Sequence, residues 1–174
     1  MEISFYDLCV PHYQQLLQSV GGVLDKGLAF CKEKGINPET LVEARLYDDM
    51  HPLRFQVQQS VHHSKGAIEA LKSGKFSPAP AGTPTDNYAA LQALVAEARN
   101  ALQKITPAEV NARANGDVTF VVGEMKMPFT ALGFIQSFSL PNFFFHATTA
   151  YGILRMKGVP IGKRDFLGAL KLKS

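Results

Sequence analysis

Apolar residues recur at alternating spacings of three and four in four long stretches of the chain, the repeat of a helix that turns about 100° per residue and buries one face. The first stripe is Val10, Tyr13, Leu17, Val20, Leu24, Leu28 and Cys31. Pro11 falls near the predicted start and Gly35 just past the end, the places where a missing N–H and a missing Cβ are tolerated best. Gly21 and Gly22 weaken this helix slightly. Asn37 followed by Pro38 then opens a short helical turn.

The second stripe runs from about Pro52 to Ser73 with Leu53, Val57, Val61, Ser64, Ile68 and Leu71 in register, and Gly74 stops it. Lys75 to Thr85, rich in Pro, Gly, Ser and Ala, reads as a loop across the end of the molecule. Tyr88, Leu91, Val95, Ala98, Leu102 and Ile105 mark the third helix, and Thr106-Pro107-Ala108-Glu109 opens another turn with a capping-box pattern. Between Val118 and Met127 the period changes to two, with Gly123-Glu124 suited to a type II′ turn, so a small hairpin is predicted. The last helix runs from near Thr130 to Gly158, with a kink at Pro141.

Four amphipathic helices bury their stripes most simply against one another. The expected fold is all-α, a four-helix bundle with a small β-hairpin before the last helix. The long loop between the second and third helices permits a crossover topology.

Composition agrees and narrows the function. With 174 residues, 46% of them hydrophobic and 19% charged, the chain reads as a single globular domain, 1–174, that folds unaided. A formal charge of +3, with the cations spread along the chain, argues against nucleic acid as a partner. Arg155 and Lys157 fit the last turn of a helix, where cations are favoured. The longest apolar stretch, Thr130 to Phe145, is broken by Gln136, Ser137, Ser139, Pro141 and Asn142, so it is core and not a membrane span. Glu2 and the lack of a basic flank argue against a signal peptide, and a cytoplasmic protein is expected. Cys9 and Cys31 lie on one predicted helix, ~33 Å apart at 1.5 Å per residue, so they cannot pair and are read as packed thiols.

Chemistry in a bundle is built from polar side chains that point inward. On the last helix Asn142, His146, Thr149 and Ile153 are separated by four, three and four and share one row. His146 is therefore either a buried imidazole satisfied by Asn142 or Thr149, or the polar centre of a small pocket. Phe143, Phe144, Phe145 and Tyr151 would wall such a pocket. On the second helix His62 and His63 both lie more than ~100° from the centre of the apolar stripe. Only His63 flanks the interior, in a row with Gln56 and Ser60. Asp48, Asp49 and His51 suggest a metal, but short polar residues before Pro52 are also what a helix start needs, with Arg45 able to brace Asp49. There is no GxSxG elbow and no glycine-rich phosphate loop. The run from Gly158 to Phe166 reads as a helix cap, an extended tail and a Phe anchor, or as a segment folded over the bundle end.

Leu154-Arg155 and Gly158-Val159 close the last helix as in DinB-like four-helix-bundle proteins, and the strings LPNFFFHATTAYGILRMKGVPIGKRDFLG and ARLYDDMHPLRFQVQ resemble one uncharacterised bacterial branch of them. The resemblance implies a three-histidine metal site, with one ligand on the second helix and a His-x3-His pair on the last. It places His146 at the second histidine of that pair and Asn142 at the first. The helix-two ligand is not matched to any one of Gln56, Gln59 or His63.

An amide where the pattern has an imidazole removes a strong nitrogen ligand. The expectation is a bundle without a functioning metal centre that binds a small molecule through Asn142, His146, Tyr151 and Gln56. The resemblance also implies the enzyme alternative, a zinc- or nickel-dependent transferase or hydrolase using His63 and His146, with Asn142, His12 or an Asp completing the shell. A structural or interaction homodimer is the third class.

Overall fold

A computed structural model describes residues 3–79 and 87–173. Helix α1 spans Phe5–Lys34 and begins earlier than its stripe indicated. Ser4 and Asp7 form a reciprocal capping box that satisfies the first free N–H groups, which leaves Pro11 inside the helix. The helix ends where Gly35 adopts φ +66 and its N–H returns to the last turn. Leu28, expected in the stripe, is half out of the core at 39% exposure, because Gly27 and Cys31 hold the buried face there. Pro38 stands at the N-cap of the short helix α2 (Glu39–Val42), and Asn37 Oδ1 just before it accepts from the Glu39 N–H at 3.1 Å.

The second long helix is not uniform. It runs as α3 (Leu53–Val61), a π-helical turn over His62–Gly66, and α4 (Ala67–Ser73), which Gly74 closes at φ +72. Its start carries no side-chain cap, so Asp48 and Asp49 do not play the capping role expected of them. Arg45 reaches the Met50 carbonyl at 2.7 Å and not Asp49.

Part of the expected loop is a strand, β1 (Lys75–Phe76). The remainder of that loop, from residue 80 to Thr85, lies outside the described residues. Helix α5 (Tyr88–Gln103) is capped by Asn87, and α6 (Pro107–Asn111) carries the expected Thr106–Glu109 capping box.

The hairpin pairs β2 (Asp117–Val122) with β3 (Met125–Thr130), antiparallel, with Val122 opposite Met125. The turn residue Gly123 has φ +58 and Glu124 has a negative φ, the combination of the predicted type II′ turn. β1 adds in parallel to the outer side of β2, Phe76 opposite Phe120, so the hairpin is part of a three-stranded sheet in the order β1-β2-β3. Thr130 ends β3 and caps the last helical run, its hydroxyl accepting from the Gly133 N–H at 3.1 Å.

That run comprises α7 (Ala131–Gly133), a second π-helical turn over Phe134–Ser139, and α8 (Leu140–Met156). The irregularity predicted at Pro141 falls just before it. A proline cannot donate to the preceding turn and its ring crowds the carbonyl four residues back, and the wider turn accommodates both. The tail forms a short helix, α9 (Lys163–Leu167), where an extended segment was expected.

The four long helices form a ring in which α1 packs against α5 and α8, and α3 packs against the same two. Consecutive helices α1 and α3 are thus diagonal, as are α5 and α8. The second and third helices are neighbours, so the long connections lie before α3 and before α8 instead. Tyr13, Tyr88, Phe134 and Phe143 are the largest side chains fully buried at the centre. Tyr88 spends its hydroxyl on the Leu24 carbonyl at 2.7 Å, directly over Gly27. Burial pushes the Cys9 thiol up to about 12 and raises that of Cys31, which fits inert, packed thiols.

Candidate functional site

The face that α3 turns toward α8 is polar where the other core faces are apolar. Gln56, Ser60 and His63, separated by four and three, occupy one row, and all are buried, His63 at 6% exposure. The apolar stripe alone put His63 at its flank; the buried arc is wider because α3 packs on α5 with one side and on α8 with the other. Opposite that row α8 presents His146, 9% exposed, and Thr149.

The two helices are joined by hydrogen bonds that specify proton positions. Gln56 Nε2 donates to the His51 carbonyl at 2.9 Å, since a carbonyl can only accept. Its Oε1 therefore faces His146 Nδ1 at 2.8 Å, and Nδ1 must carry the proton. The lone pair of His146 is left on Nε2. On the other side Ser139 donates its single hydroxyl proton to the His63 carbonyl at 2.7 Å, so the Tyr13 hydroxyl, 2.6 Å away, donates to Ser139. A chain of two hydrogen bonds thus ties α1 to the backbone of His63 through the last residue of the second π-helical turn.

The imidazoles stack. His63 and His146 lie 5.8 Å apart between ring centres and 16° from parallel. His51 stacks on Phe55 at 3.9 Å, and Phe55 meets His146 edge-on. At the other end His63 touches Phe76 and Phe138, and His62 stacks on Phe76 at 4.4 Å. Of five histidines four belong to this row; His12 is exposed on α1. Burial, then the neighbouring His62 and His146, bring His63 down to about 3. Burial and then His51 bring His146 down to about 4. Both rings are neutral at pH 7. Among the described residues His63 Nδ1 is the one buried side-chain nitrogen or oxygen without a hydrogen-bond partner.

The remaining candidates part company. Asn142 is half-buried one turn before His146, and its amide donates to the Phe138 carbonyl at 2.8 Å. Thr149 likewise turns back to the Phe145 carbonyl at 2.7 Å, so neither satisfies His146; Gln56 does. Tyr151 packs edge-on against Phe166 of α9, 5.8 Å between centres, because five residues along a helix carry it about 140° round from His146. Phe143 is core against Tyr13, whereas Phe144 and Phe145 face outward at 38% and 58% exposure. Sequence reasoning missed Phe55 and Phe76. Phe76 lies in a segment whose composition reads as loop, and a two-residue strand is too short to show alternation.

A three-histidine metal centre does not fit these residues. His63 and His146 supply two imidazoles, and the third position is an amide turned along its own helix. Among the described residues no group of three or more His, Cys, Asp or Glu side chains is arranged to hold a metal ion, whereas zinc sites draw three or four such ligands from the protein.

No described helix is long and apolar enough to cross a membrane. A comparison with curated proteins finds no match. Among solved structures the chain is similar to the crystal structure of a DinB family member protein from Shewanella denitrificans, with 29% identity and a TM-score of 0.80. The match covers 97% of this chain and 94% of that one, so the bundle has the DinB-like fold. With the model described as "Domain of unknown function (DUF1993)" matching residues 5–167, the chain belongs to that family.

Proposed function

We propose that this DinB-like protein binds a small neutral molecule between α3 and α8, where the fold's resemblance puts a metal centre. The observation that carries the reading is the Gln56–His146 hydrogen bond. It holds His146 as a neutral ring with a lone pair on Nε2, an acceptor for an O–H, N–H or S–H donor and a poor partner for an anion. Phe55 and Phe138 add aromatic surface beside the two histidines, and His63 Nδ1 is a second nitrogen in want of a partner. A few polar groups in an aromatic surround are the usual makeup of a ligand site. Gln56 serves this site through its bond to His146, whereas Asn142 bonds along its own helix and Tyr151 packs on Phe166 of α9.

Two measurements test the reading. Protein purified without a histidine tag should carry zinc and nickel only in traces, and stoichiometric metal that disappears in His146→Ala overturns it. NMR titration with phenol and with its methyl ether should give tighter binding of phenol, a difference that His146→Ala abolishes; equal binding of the two overturns the acceptor role.

A second reading, a homodimer, is favoured by Phe145 and Met156. They are 58% and 50% exposed and three turns apart on one face of α8. Light scattering should then return twice the 19.0 kDa chain mass.

A further inference from the structure

Among the described residues three cations are half-buried: Arg54, Lys65 and Arg99. Arg54 pairs with Glu43, and Lys65 with Glu97 at 3.0 Å. Arg99 has no ion pair or hydrogen bond among the described residues. Its guanidinium lies instead over Gly21, 3.7 Å from where a Cβ would stand. It borders a cleft of about 290 Å³ between α1, α5 and the C-terminal tail.

Pro11, Ala169 and Leu170 give the lining an apolar part, and its polar members are amide and cationic with no Asp or Glu: Gln14, Gln15, Gln18, Gln103, Arg99 and Lys171. Two of the amides are fixed. Gln14 donates to the Leu102 carbonyl at 3.0 Å, tying α1 to the end of α5, and Gln15 donates to the Leu167 carbonyl at 2.8 Å, tying α1 to the tail. Both keep a carbonyl oxygen free as an acceptor. The tail therefore forms one wall of the cleft and brings Lys171 to it.

We propose that this cleft is a binding site for a small hydroxylated oxyanion, a carboxylate or phosphate compound held by the Arg99 fork and Lys171 while glutamine amides meet its hydroxyl groups. A half-buried guanidinium without a counter-ion among the described residues has its N–H donors available, and a planar fork donates to two oxygens of one anion at once. None of the lining residues takes part in the histidine site.

The test is calorimetric titration of the full chain with citrate and with glucose 6-phosphate, each at a series of chloride concentrations. At least one should bind saturably, more weakly as chloride rises. Arg99→Gln should weaken it about tenfold or more, the size expected for charged hydrogen bonds. His146→Ala should leave it unchanged, which separates this site from the one proposed above. Should Arg99→Gln fail to fold, Gln18→Glu at an exposed position puts a like charge in the cleft and must also weaken binding. Absence of saturable binding by both probes, or equal binding by the folded variant, overturns the proposal.

Discussion

Gln56 and His146 lie 90 residues apart in the chain, and their side chains meet at 2.8 Å in the interior. Replacing Gln56 by Leu keeps the volume but strands His146 Nδ1–H and the His51 carbonyl. The expected loss is about 1–3 kcal/mol, the cost of a buried polar group left unpaired, measured by urea denaturation. Gln56→Glu should do the reverse to the ring. A carboxylate facing Nδ1–H favours imidazolium, so the midpoint of His146 should climb from about 4, as followed by NMR titration of the ring protons.

The neutral histidine pair makes stability depend on pH with a definite sign. Both groups are lowered in the folded state, to about 3 for His63 and about 4 for His146, from 6.5 in the open chain. Between those values the unfolded chain holds protons that the folded one does not, so stability is complete above pH 6.5 and falls as pH drops toward 4 and 3. Two protons give a slope of at most about 2.7 kcal/mol per pH unit. Denaturation curves at pH 7, 6, 5 and 4 should show the decline, and it should be shallower in His63→Phe.

Tyr13, Ser139 and the His63 carbonyl form a donor sequence, and its order predicts an asymmetry. Tyr13→Phe removes one donor and leaves the Ser139 bond to His63 intact, at about 1 kcal/mol. Ser139→Ala strands both the Tyr13 hydroxyl and the carbonyl, so it should cost more, about 2–3 kcal/mol. Equal losses in thermal unfolding would remove the assigned direction of these bonds.

Two glycines of α1 should respond to alanine with opposite signs. At Gly22 nothing lies within 4 Å of an added Cβ, so the gain in helix propensity of about 0.5–1 kcal/mol should appear as stabilisation. At Gly27 the Cβ would come within 2.3 Å of the Tyr88 hydroxyl, which is bonded to the Leu24 carbonyl. Displacing it should cost about 1–3 kcal/mol and outweigh the propensity gain. A pair of melting curves decides this.

Much of this architecture was readable from spacing and composition. The helices announce themselves because each buries a stripe of regular period, and the hairpin because Gly123-Glu124 interrupts alternation at the right place. β1 was hidden, since Lys75 and Phe76 become a strand only when β2 is beside them. The site was half legible. Gln56, Ser60 and His63 share a row that periodicity can find, and Asn142 precedes His146 by one turn. That Gln56 and not Asn142 or Thr149 satisfies His146 depends on how two helices are apposed, information that no local pattern holds. Tyr151 was grouped with His146 for its aromatic character, and the helical angle between them sends it to Phe166 instead.

The π-helical turn at His62–Gly66 holds one residue more than the α-helical turn it replaces. Losing any one residue from it would let the backbone close as a plain α-helix. Because five π-helical residues wind about as far as four α-helical ones, Ala67 onward would keep nearly its present phase, and Ile68 and Leu71 would stay in the core. The side chains within the turn would be redistributed, so the direction of His63 depends on the extra residue while the packing of α4 does not.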